Sequence, residues 1–337
     1  MRIGVMGVHY GHISGMFQSA LSAPDAEFVG LVEPDDALYE QYTAEKKIAR
    51  WHSLPEMLAK ARPELVLEGL THAEKTAVIE VCAAAGAHLL LDKPLCRTID
   101  EWQQIKAAVD RSGIRLSMWY TSRSYPPFIA LRDTILAGDL GEIVSLISTH
   151  PHKLTDKQPD WYFDPVLYSG TFVDLACHGI DQVRWLAGAE YDSVHALGSL
   201  KKHTGNRRLE MDHVQASYKL SNGALAMISA DWLTPLQSPN FGDTRFIIMG
   251  TKGSAHLRAY AEDHLLVVTD EKGASEPELP PRRDNVFVQN LVKAITSGEQ
   301  SFVSTADVLA AAQAGLVAQE SARQGGKYLT IDSGQHR

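Results

Sequence analysis

An acid and a base stand four residues apart in the segment 169–181, at Asp174 and His178. If this segment is one helix entered through Gly170, the two side chains lie one turn apart on the same face. A carboxylate beside an imidazole forms an acid/base pair, because histidine changes charge near neutral pH and can take a proton from a hydroxyl. A helical hydrogen-bond pair without a catalytic role is the simpler interpretation of the same spacing.

A lysine follows directly after the apolar run 89–91, in the sequence Asp92-Lys93-Pro94. A buried parallel strand ends at the carboxyl edge of its sheet, and α/β proteins bind their ligands at that edge. A lysine held there can stabilise a developing alkoxide or pass on a proton, whereas a lysine in an ordinary loop is solvated. Lys93 is therefore a candidate for both catalysis and substrate binding.

The turn after the N-terminal strand is the third candidate, with the sequence Gly-Val-His-Tyr-Gly-His over residues 7–12. A strand, a tight turn and a helix are the elements that hold the pyrophosphate of a dinucleotide. Only Gly7 fits the GxGxxG spacing, because His9 and His12 stand where the second and third glycines belong. Gly11 offers a shifted version of the turn. The motif alone is equally compatible with a purely structural turn.

An acidic residue ends the second predicted strand. Glu33 follows the run 28–32 at about the spacing where a carboxylate binds the ribose hydroxyls of a dinucleotide. Asp35 and Asp36 are close and no arginine is nearby, so a 2′-phosphate would be repelled and NAD is favoured over NADP. A solvated glutamate at the end of a strand is the alternative.

Alternating strands and helices organise the first 118 residues. Five apolar segments separated by helical periodicity predict a parallel sheet covered on both faces. The predicted strands are Ile3–Met6, Glu27–Val32, Leu65–Leu67, Leu89–Leu91 and Arg115–Trp119.

Longer strands joined by tight turns dominate from about residue 140. They predict a second domain of the α+β class, built on a large, mostly antiparallel open sheet. The predicted strands are Ile143–Thr149, Val194–Leu200, His213–Leu220, Ala224–Asp231, Thr244–Gly250, Ser254–Arg258 and Leu265–Thr269. A single helix is expected over 169–185, and an exposed loop over 271–281.

Composition excludes several classes of protein. The 337 residues include 41 acidic and 32 basic ones, a formal net charge of -9, which argues against a nucleic-acid binder. Three scattered cysteines form neither a disulfide framework nor a thiolate zinc site, so we expect a cytoplasmic protein. No apolar run is long enough for a membrane span.

The chain resembles the Gfo/Idh/MocA oxidoreductases, the group of glucose-fructose oxidoreductase and inositol dehydrogenase, over nearly its whole length. Asp92-Lys93-Pro94 is similar to the Glu-Lys-Pro motif of that family, and Asp174 to His178 fits its Asp-x-x-x-His motif. The resemblance implies a Rossmann-type NAD(P)-binding domain over 1–120 and a substrate-binding and oligomerisation domain over 121–337. It also implies a homodimer or homotetramer.

The resemblance further implies hydride transfer between NAD and a CH–OH carbon of a sugar or polyol. His178 would accept the hydroxyl proton, while Lys93 and Asp174 position the substrate. The expected cofactor-binding residues are Gly7, His9, Tyr10, Gly11, His12, Glu33, Thr71, His72, Asp92 and Lys93. The expected substrate-binding residues are Lys93, Arg123, His150, His152, Trp161, Asp174 and His178.

Three other interpretations stay open, because the glycine turn is altered. The protein could retain NAD and use transient oxidation to run a lyase or glycosidase reaction. It could instead be a sugar-binding relative without catalysis. A metal site is the third, raised by His9, His12, His72 and His178 and by the pair His150 and His152, although the family resemblance implies no metal.

Overall fold

A computed structural model of the chain describes residues 1–9, 11–23, 26–44, 48–283 and 286–332. The chain divides into two compact units. One unit comprises Met1–Tyr120 and Asp284–Leu309, and the other comprises Thr121–Arg283 and Ala310–Arg337. None of the helices within the described ranges is long and apolar enough to cross a membrane. The assignment of separate functions to 1–120 and 121–337 stays a prediction.

Six parallel strands form the sheet of the first unit. They are β1 (Arg2–Met6), β2 (Glu27–Val32), β3 (Arg50–Trp51), β4 (Leu65–Glu68), β5 (His88–Leu91) and β6 (Leu116–Met118). The connecting helices are α1 (Ile13–Leu21), α2 (Asp36–Thr43), α3 (Leu54–Lys60), α4 (Lys75–Ala85) and α5 (Ile99–Ser112). The parallel sheet is confirmed, but the sequence missed β3, which is too short to show any periodicity.

The strand order β3-β2-β1-β4-β5-β6 places the first strand in the middle of the sheet. The chain adds strands on one side of β1 and then crosses to the other side through β4. In an open α/β sheet, the carboxyl ends of the strands at such a reversal form the crevice where ligands bind. The turns after β1, β4 and β5 therefore hold the candidate residues of this unit.

Local capping residues fix two helix ends in the first unit. The Thr98 side chain accepts a hydrogen bond from the Glu101 amide at 3.2 Å and starts α5. Gly86 ends α4 with φ of 73°, a left-handed conformation that favours glycine. These two caps fix the ends of the helices that flank β5, the strand that leads to Lys93.

The second unit is built on a nine-stranded sheet. Its elements begin with α6 (Pro126–Leu136), β7 (Ile143–Pro151), α7 (Thr171–Leu175), α8 (Cys177–Ala187), β8 (Tyr191–Ser199), β9 (His213–Leu220) and β10 (Leu225–Asp231). They continue with β11 (Thr244–Gly250), β12 (Gly253–Ala259), β13 (His264–Thr269) and β14 (Gly273–Ser275). Helix α9 (Val286–Ser297) belongs to the first unit, the division between the units falls within α10 (Thr305–Arg323), and β15 (Leu329–Thr330) belongs to the second unit.

The sheet of the second unit has the order β14-β13-β12-β11-β7-β10-β9-β8-β15. Its neighbouring strands are antiparallel except for β7 and β10, which run parallel in the centre. The predicted, mostly antiparallel sheet is confirmed. The expected loop over 271–281 is wrong in one respect, because 273–275 pair with β13 as β14.

The two faces of this sheet differ in polarity and cover. Helices α6, α7 and α8 pack against one face. The side chains of the other face are partly or fully exposed, and several are large and apolar. Among them are Leu225 (59% exposed), Ile247 (37%), Met249 (49%) and Val268 (36%). An apolar face of this kind marks a surface suited to association.

Candidate active site

The turn after β1 depends on a glycine. Gly7 has φ of 71°, and a Cβ at this position would stand 2.1 Å from Leu70 Cδ2. A side chain is therefore excluded both by the backbone conformation and by the neighbouring turn after β4. The amide of His9 donates to the Gly69 carbonyl at 2.9 Å, which ties the two turns together.

Two histidines of this turn are each paired with a carboxylate at the end of another strand. His9 Nε2 lies 3.2 Å from Glu33 Oε1, after β2. His12 Nδ1 lies 3.0 Å from Asp92 Oδ1, after β5. Both rings keep exposed surface, with 36% of the His9 side chain and 44% of the His12 side chain accessible. The histidines that replace glycines are thus held in place by buried acids.

The remaining members of the predicted turn differ in what the structure shows. Gly11 has open space around its Cα, with nothing within 4 Å of a built Cβ. Tyr10 lies outside the described residues. Helix α1 begins at Ile13, and its N-cap residue, His12, makes no capping hydrogen bond through its side chain.

Glu33 is almost fully buried, with 1% of the residue exposed. Its carboxylate accepts hydrogen bonds from the amides of Val8 at 3.1 Å and Asp35 at 2.9 Å, in addition to the contact with His9. The carboxylate thereby fixes the start of the β1 turn. Its predicted contact with a ribose stays a prediction.

An arginine does bind the backbone of Glu33, contrary to the sequence argument. Arg50 of β3 donates to the Glu33 carbonyl oxygen at 3.0 and 2.8 Å and pairs with Asp36 at 2.5 Å. The sequence argument missed it because β3 adjoins β2 only in the folded sheet. Asp36 pairs with Arg50 and balances its positive charge. The preference for NAD over NADP at this position therefore depends on Arg50 being engaged by Asp36.

The turn after β4 carries two further predicted residues. Thr71 bonds to Glu74 through its amide at 3.2 Å and its hydroxyl at 2.6 Å, which closes the turn on itself. His72 is fully buried, with no exposed surface. Neither observation tests the predicted contacts of these residues with a cofactor.

Asp92 and Lys93 lie at the carboxyl end of β5, as predicted. Both are buried, with 0% and 6% exposed. Asp92 Oδ1 accepts a hydrogen bond from the Lys93 amide at 2.7 Å as well as the contact from His12. The other oxygen, Oδ2, is buried and has no hydrogen-bond partner within the part of the chain that the structure describes.

These residues fit a dinucleotide in two respects. Gly7 has no side chain to cover the turn that leads from β1 towards α1, where phosphates approach in such folds. The buried Oδ2 of Asp92 is an acceptor that needs a donor from outside, since unpaired buried polar atoms are rare. The donor groups around the site are imidazoles and backbone amides, which suit a ribose and a pyrophosphate.

In the second unit, Asp174 and His178 lie on two short helices instead of one. Helix α7 ends at Leu175 and α8 begins at Cys177, with Ala176 between them, so the predicted single helix is wrong at this point. One hydrogen bond spans the junction between the helices, from the Cys177 thiol to the Asp174 carbonyl at 3.0 Å. Asp174 is fully buried and His178 is partly exposed.

Two residues that the sequence did not point to orient Asp174. The Tyr168 hydroxyl donates to Asp174 Oδ2 at 2.9 Å, and the Trp232 indole donates to that hydroxyl at 3.1 Å. Burial, and then the charge of Asp174, raises the pKa of Tyr168 well above its usual range. Tyr168 therefore stays a neutral donor and favours an ionised Asp174.

His150 lies on β7, and His152 follows the end of that strand and forms an isolated bridge with Gly242; the two histidines differ in burial. His150 is 2% exposed, and burial lowers its pKa to about 3, so the ring is neutral. It packs beneath α8, where a Cβ on Gly179 would stand 2.0 Å from its Nε2. His152 keeps partial exposure and packs edge-on against Trp232. Of the two, His152 is the better placed for a ligand.

The other residues predicted to bind the substrate differ in burial and in the contacts they make within the protein. Arg123 is buried and forms a bidentate pair with Asp181, at 2.8 Å from Nε and 2.6 Å from Nη2. Trp161 is partly exposed and packs on Tyr162 with ring centroids 4.3 Å apart. Within the described ranges, no group of three or more His, Cys, Asp or Glu residues is arranged to hold a metal ion.

Family models match both parts of the chain. Residues 1–120 match a model described as an oxidoreductase family with an NAD-binding Rossmann fold. Residues 128–256 match the GFO/IDH/MocA C-terminal domain. The chain belongs to the Gfo/Idh/MocA family of oxidoreductases. This membership confirms the predicted enzyme class, the Rossmann fold and NAD as the cofactor.

Individual relatives agree with the family. The chain is 23% identical over 332 residues to scyllo-inositol 2-dehydrogenase (NAD(+)) of Bacillus subtilis, covering 96% of this chain and 93% of that protein. It is 29% identical over 261 residues to myo-inositol dehydrogenase Hyg17 of Streptomyces leeuwenhoekii, covering 75% of each. Levoglucosan dehydrogenase in complex with NADH shares the fold, with a TM-score of 0.86, 20% identity, and 98% and 99% coverage.

The contact between Gly179 and His150 generates a stability prediction for this family member. Alanine in a helix interior is usually favoured over glycine by about 1 kcal/mol. Here we expect Gly179→Ala to destabilise the protein by about 1–3 kcal/mol, because the new methyl group overlaps the His150 ring. Urea unfolding measures the change. His150→Ala makes room, so the double variant should lose less than the two single changes added together, and strict additivity would contradict the packing argument.

Proposed function

We propose that this oxidoreductase transfers a hydride from a CH–OH carbon of a sugar, polyol or sugar derivative to NAD. The observation that carries the proposal is the buried Asp174, held by Tyr168 and followed four residues later by the partly exposed His178. The two inositol dehydrogenases among its relatives support a polyol or sugar as substrate.

His178 acts as the general base. As the hydride leaves the carbon, the hydroxyl on that carbon becomes acidic, and a ring nitrogen of His178 takes its proton. The negative charge of Asp174 stabilises a protonated imidazole on the neighbouring helix, and Tyr168 keeps that charge in one orientation. Lys93 binds the substrate from the end of β5 and stabilises the developing alkoxide.

The turn after β1 holds the cofactor. When bound, the nicotinamide of NAD accepts the hydride. Gly7, Gly11 and the start of α1 receive the pyrophosphate. His9 and His12 supply donors in place of the missing glycine backbone, each oriented by the acid it pairs with.

Further expectations belong to the same proposal. The remaining NAD contacts come from Thr71, His72, Glu33 and Asp92. The substrate is surrounded by Arg123, His152, His150 and Trp161. Of these, Arg123 and His150 are buried and shape the site without being exposed in it. Cys82, Cys96 and Cys177 are buried thiols and not part of disulfides, which supports a cytoplasmic setting.

The exposed sheet face supports assembly with a second copy. Ile247 stands opposite Ile147 on the neighbouring strand, and Ile147 stands opposite Met227. These residues extend the apolar surface of Leu225 and Met249 over the central strands. An apolar sheet face is self-complementary when two copies meet about a twofold axis, so we propose a homodimer, or a homotetramer built from it.

Removal of the general base should lower turnover. We expect His178→Asn to reduce kcat roughly 10²- to 10⁴-fold while NAD still binds, because the variant retains shape but loses the proton acceptor. NADH absorbance with a panel of polyols and aldoses measures the effect. His52→Asn, at an exposed histidine after β3 and away from the apolar sheet face, is the control and should keep full activity. Wild-type turnover in His178→Asn would remove His178 from this role.

Loss of an imidazole donor should weaken pyrophosphate binding. We expect His12→Ala to bind NAD and ADP roughly 10-fold or more weakly, since a hydrogen bond to a charged group contributes about 1.5–3 kcal/mol. Calorimetry with NAD, ADP and adenosine measures this, because adenosine lacks the phosphates and should be unaffected. His52→Ala, at an exposed histidine after β3, is the control. An equal loss for adenosine, or no loss for NAD, would contradict the assignment.

Charge on the apolar sheet face should dissociate the assembly. We expect the wild type to have the mass of a dimer or tetramer, and the double variant Ile247→Lys/Met249→Lys to have the mass of one chain, because two copies would bury four ammonium groups. Light scattering after gel filtration measures both. Leu136→Lys alters an equally apolar residue, 67% exposed, at the end of α6, and should keep the wild-type mass. A monomeric wild type would refute the homodimer.

A further inference from the structure

A fully buried ion pair lies beneath the turns that the proposed function assigns to the cofactor and to Lys93. Lys75 Nζ donates to Glu68 Oε2 at 2.9 Å, and neither side chain has any exposed surface. Glu68 ends β4, a strand that is otherwise apolar, and Lys75 is the first residue of α4. No part of the proposed chemistry uses either residue.

The buried ion pair of Lys75 and Glu68 is a poor source of folding stability. Burial raises the pKa of Glu68, although the charge of Lys75 opposes the effect. A cation in the first turn of a helix also meets the positive end of the helix dipole. Buried ion pairs are often no more stable than an apolar packing of the same volume. The pair therefore needs a reason other than stability.

Its hydrogen bonds supply that reason. The second bond from Lys75 Nζ goes to the backbone carbonyl oxygen of Asp92, at 2.6 Å. Glu68 Oε1 accepts the Leu70 amide at 2.6 Å, and the Leu70 side chain is the one packed against Gly7. The pair thus connects the turns after β1, β4 and β5, all at the carboxyl edge of the sheet.

We infer that Lys75 is a positioning residue that fixes the Asp92–Lys93 peptide, with Glu68 as its buried counter-ion. The Asp92 carbonyl accepts a hydrogen bond from the Lys75 ammonium. The Asp92 carboxylate accepts the Lys93 amide and pairs with His12. With both ends of Asp92 fixed, the backbone that carries Lys93 has one orientation. The inference rests on the proposed function only for the consequence in catalysis.

Three variants separate positioning from stability. Lys75→Met/Glu68→Gln removes both buried charges together, so it should fold with a urea midpoint near that of the wild type. Glu68→Gln retains the ammonium and its bond to the Asp92 carbonyl, but it leaves that ammonium buried without a counter-ion, so it should lower the urea midpoint. Lys106→Met breaks an exposed pair with Asp110 on α5 and is the matched control.

We expect Lys75→Met/Glu68→Gln to lose roughly 10- to 100-fold in kcat, because a displacement of about 1 Å at a reacting group has costs of that order. The Lys93 amide, followed by selective ¹⁵N-lysine labelling, should exchange with solvent roughly 10-fold faster or more in the same variant. Glu68→Gln should change kcat and this exchange much less, and Lys106→Met should change neither.

A folded double variant with wild-type kcat and wild-type exchange at Lys93 would overturn the inference, since the pair would then serve stability alone. Failure of the proposed function is a different result, because it appears in the wild type as an absence of NAD binding or of polyol oxidation. In that case the exchange of the Lys93 amide still decides whether Lys75 positions this turn.

Discussion

Burial of charge at the carboxyl edge of the first sheet is the constraint on which the candidate cofactor turns depend. Three acids, Glu33, Glu68 and Asp92, are almost or fully inaccessible to solvent there. A buried carboxylate is strongly unfavourable without a cation or hydrogen-bond donors. The turn after β1, helix α4 and nearby backbone amides supply them: His9 and backbone amides for Glu33, Lys75 for Glu68, and His12 and the Lys93 amide for Asp92. The turns are fixed because these charges must be neutralised.

The second unit uses buried polar groups for the same purpose, although its proposed site is on helices. Tyr168 and Trp232 hold Asp174, and the bidentate pair of Arg123 with Asp181 fixes α8 from the side of the segment before α6. Beneath α8, the neutral ring of His150 occupies the space that Gly179 leaves open. Each contact removes a degree of freedom from the backbone that carries His178, so the proposed base is oriented before any substrate binds.

The sequence predicted the elements well because their signals are local. Apolar runs, a threonine cap at Thr98 and a glycine cap at Gly86 depend only on near neighbours in the chain. It did not predict Arg50 beside Glu33, or Lys75 beside Glu68, because those pairs form only when separate segments are brought together. One local signal was present: a glutamate ends the apolar strand β4, and a lysine occupies a buried position on α4, seven residues later. Opposite charges at two core positions indicate a buried pair.

The altered glycine turn is explained by the same constraint. In a glycine-rich turn, the backbone itself donates to the phosphates, and small residues are required so that they can approach. Here Gly7 keeps the glycine at the start of the turn, but His9 and His12 replace the other two glycines and pair with Glu33 and Asp92. An imidazole bound through one nitrogen to a carboxylate directs its other nitrogen in a defined direction, as a carboxylate does for a metal-bound histidine. Under the proposed function, imidazoles oriented by these acids can donate to a pyrophosphate in place of backbone amides. Histidines can therefore replace glycines in this turn without loss of the donors that a pyrophosphate needs.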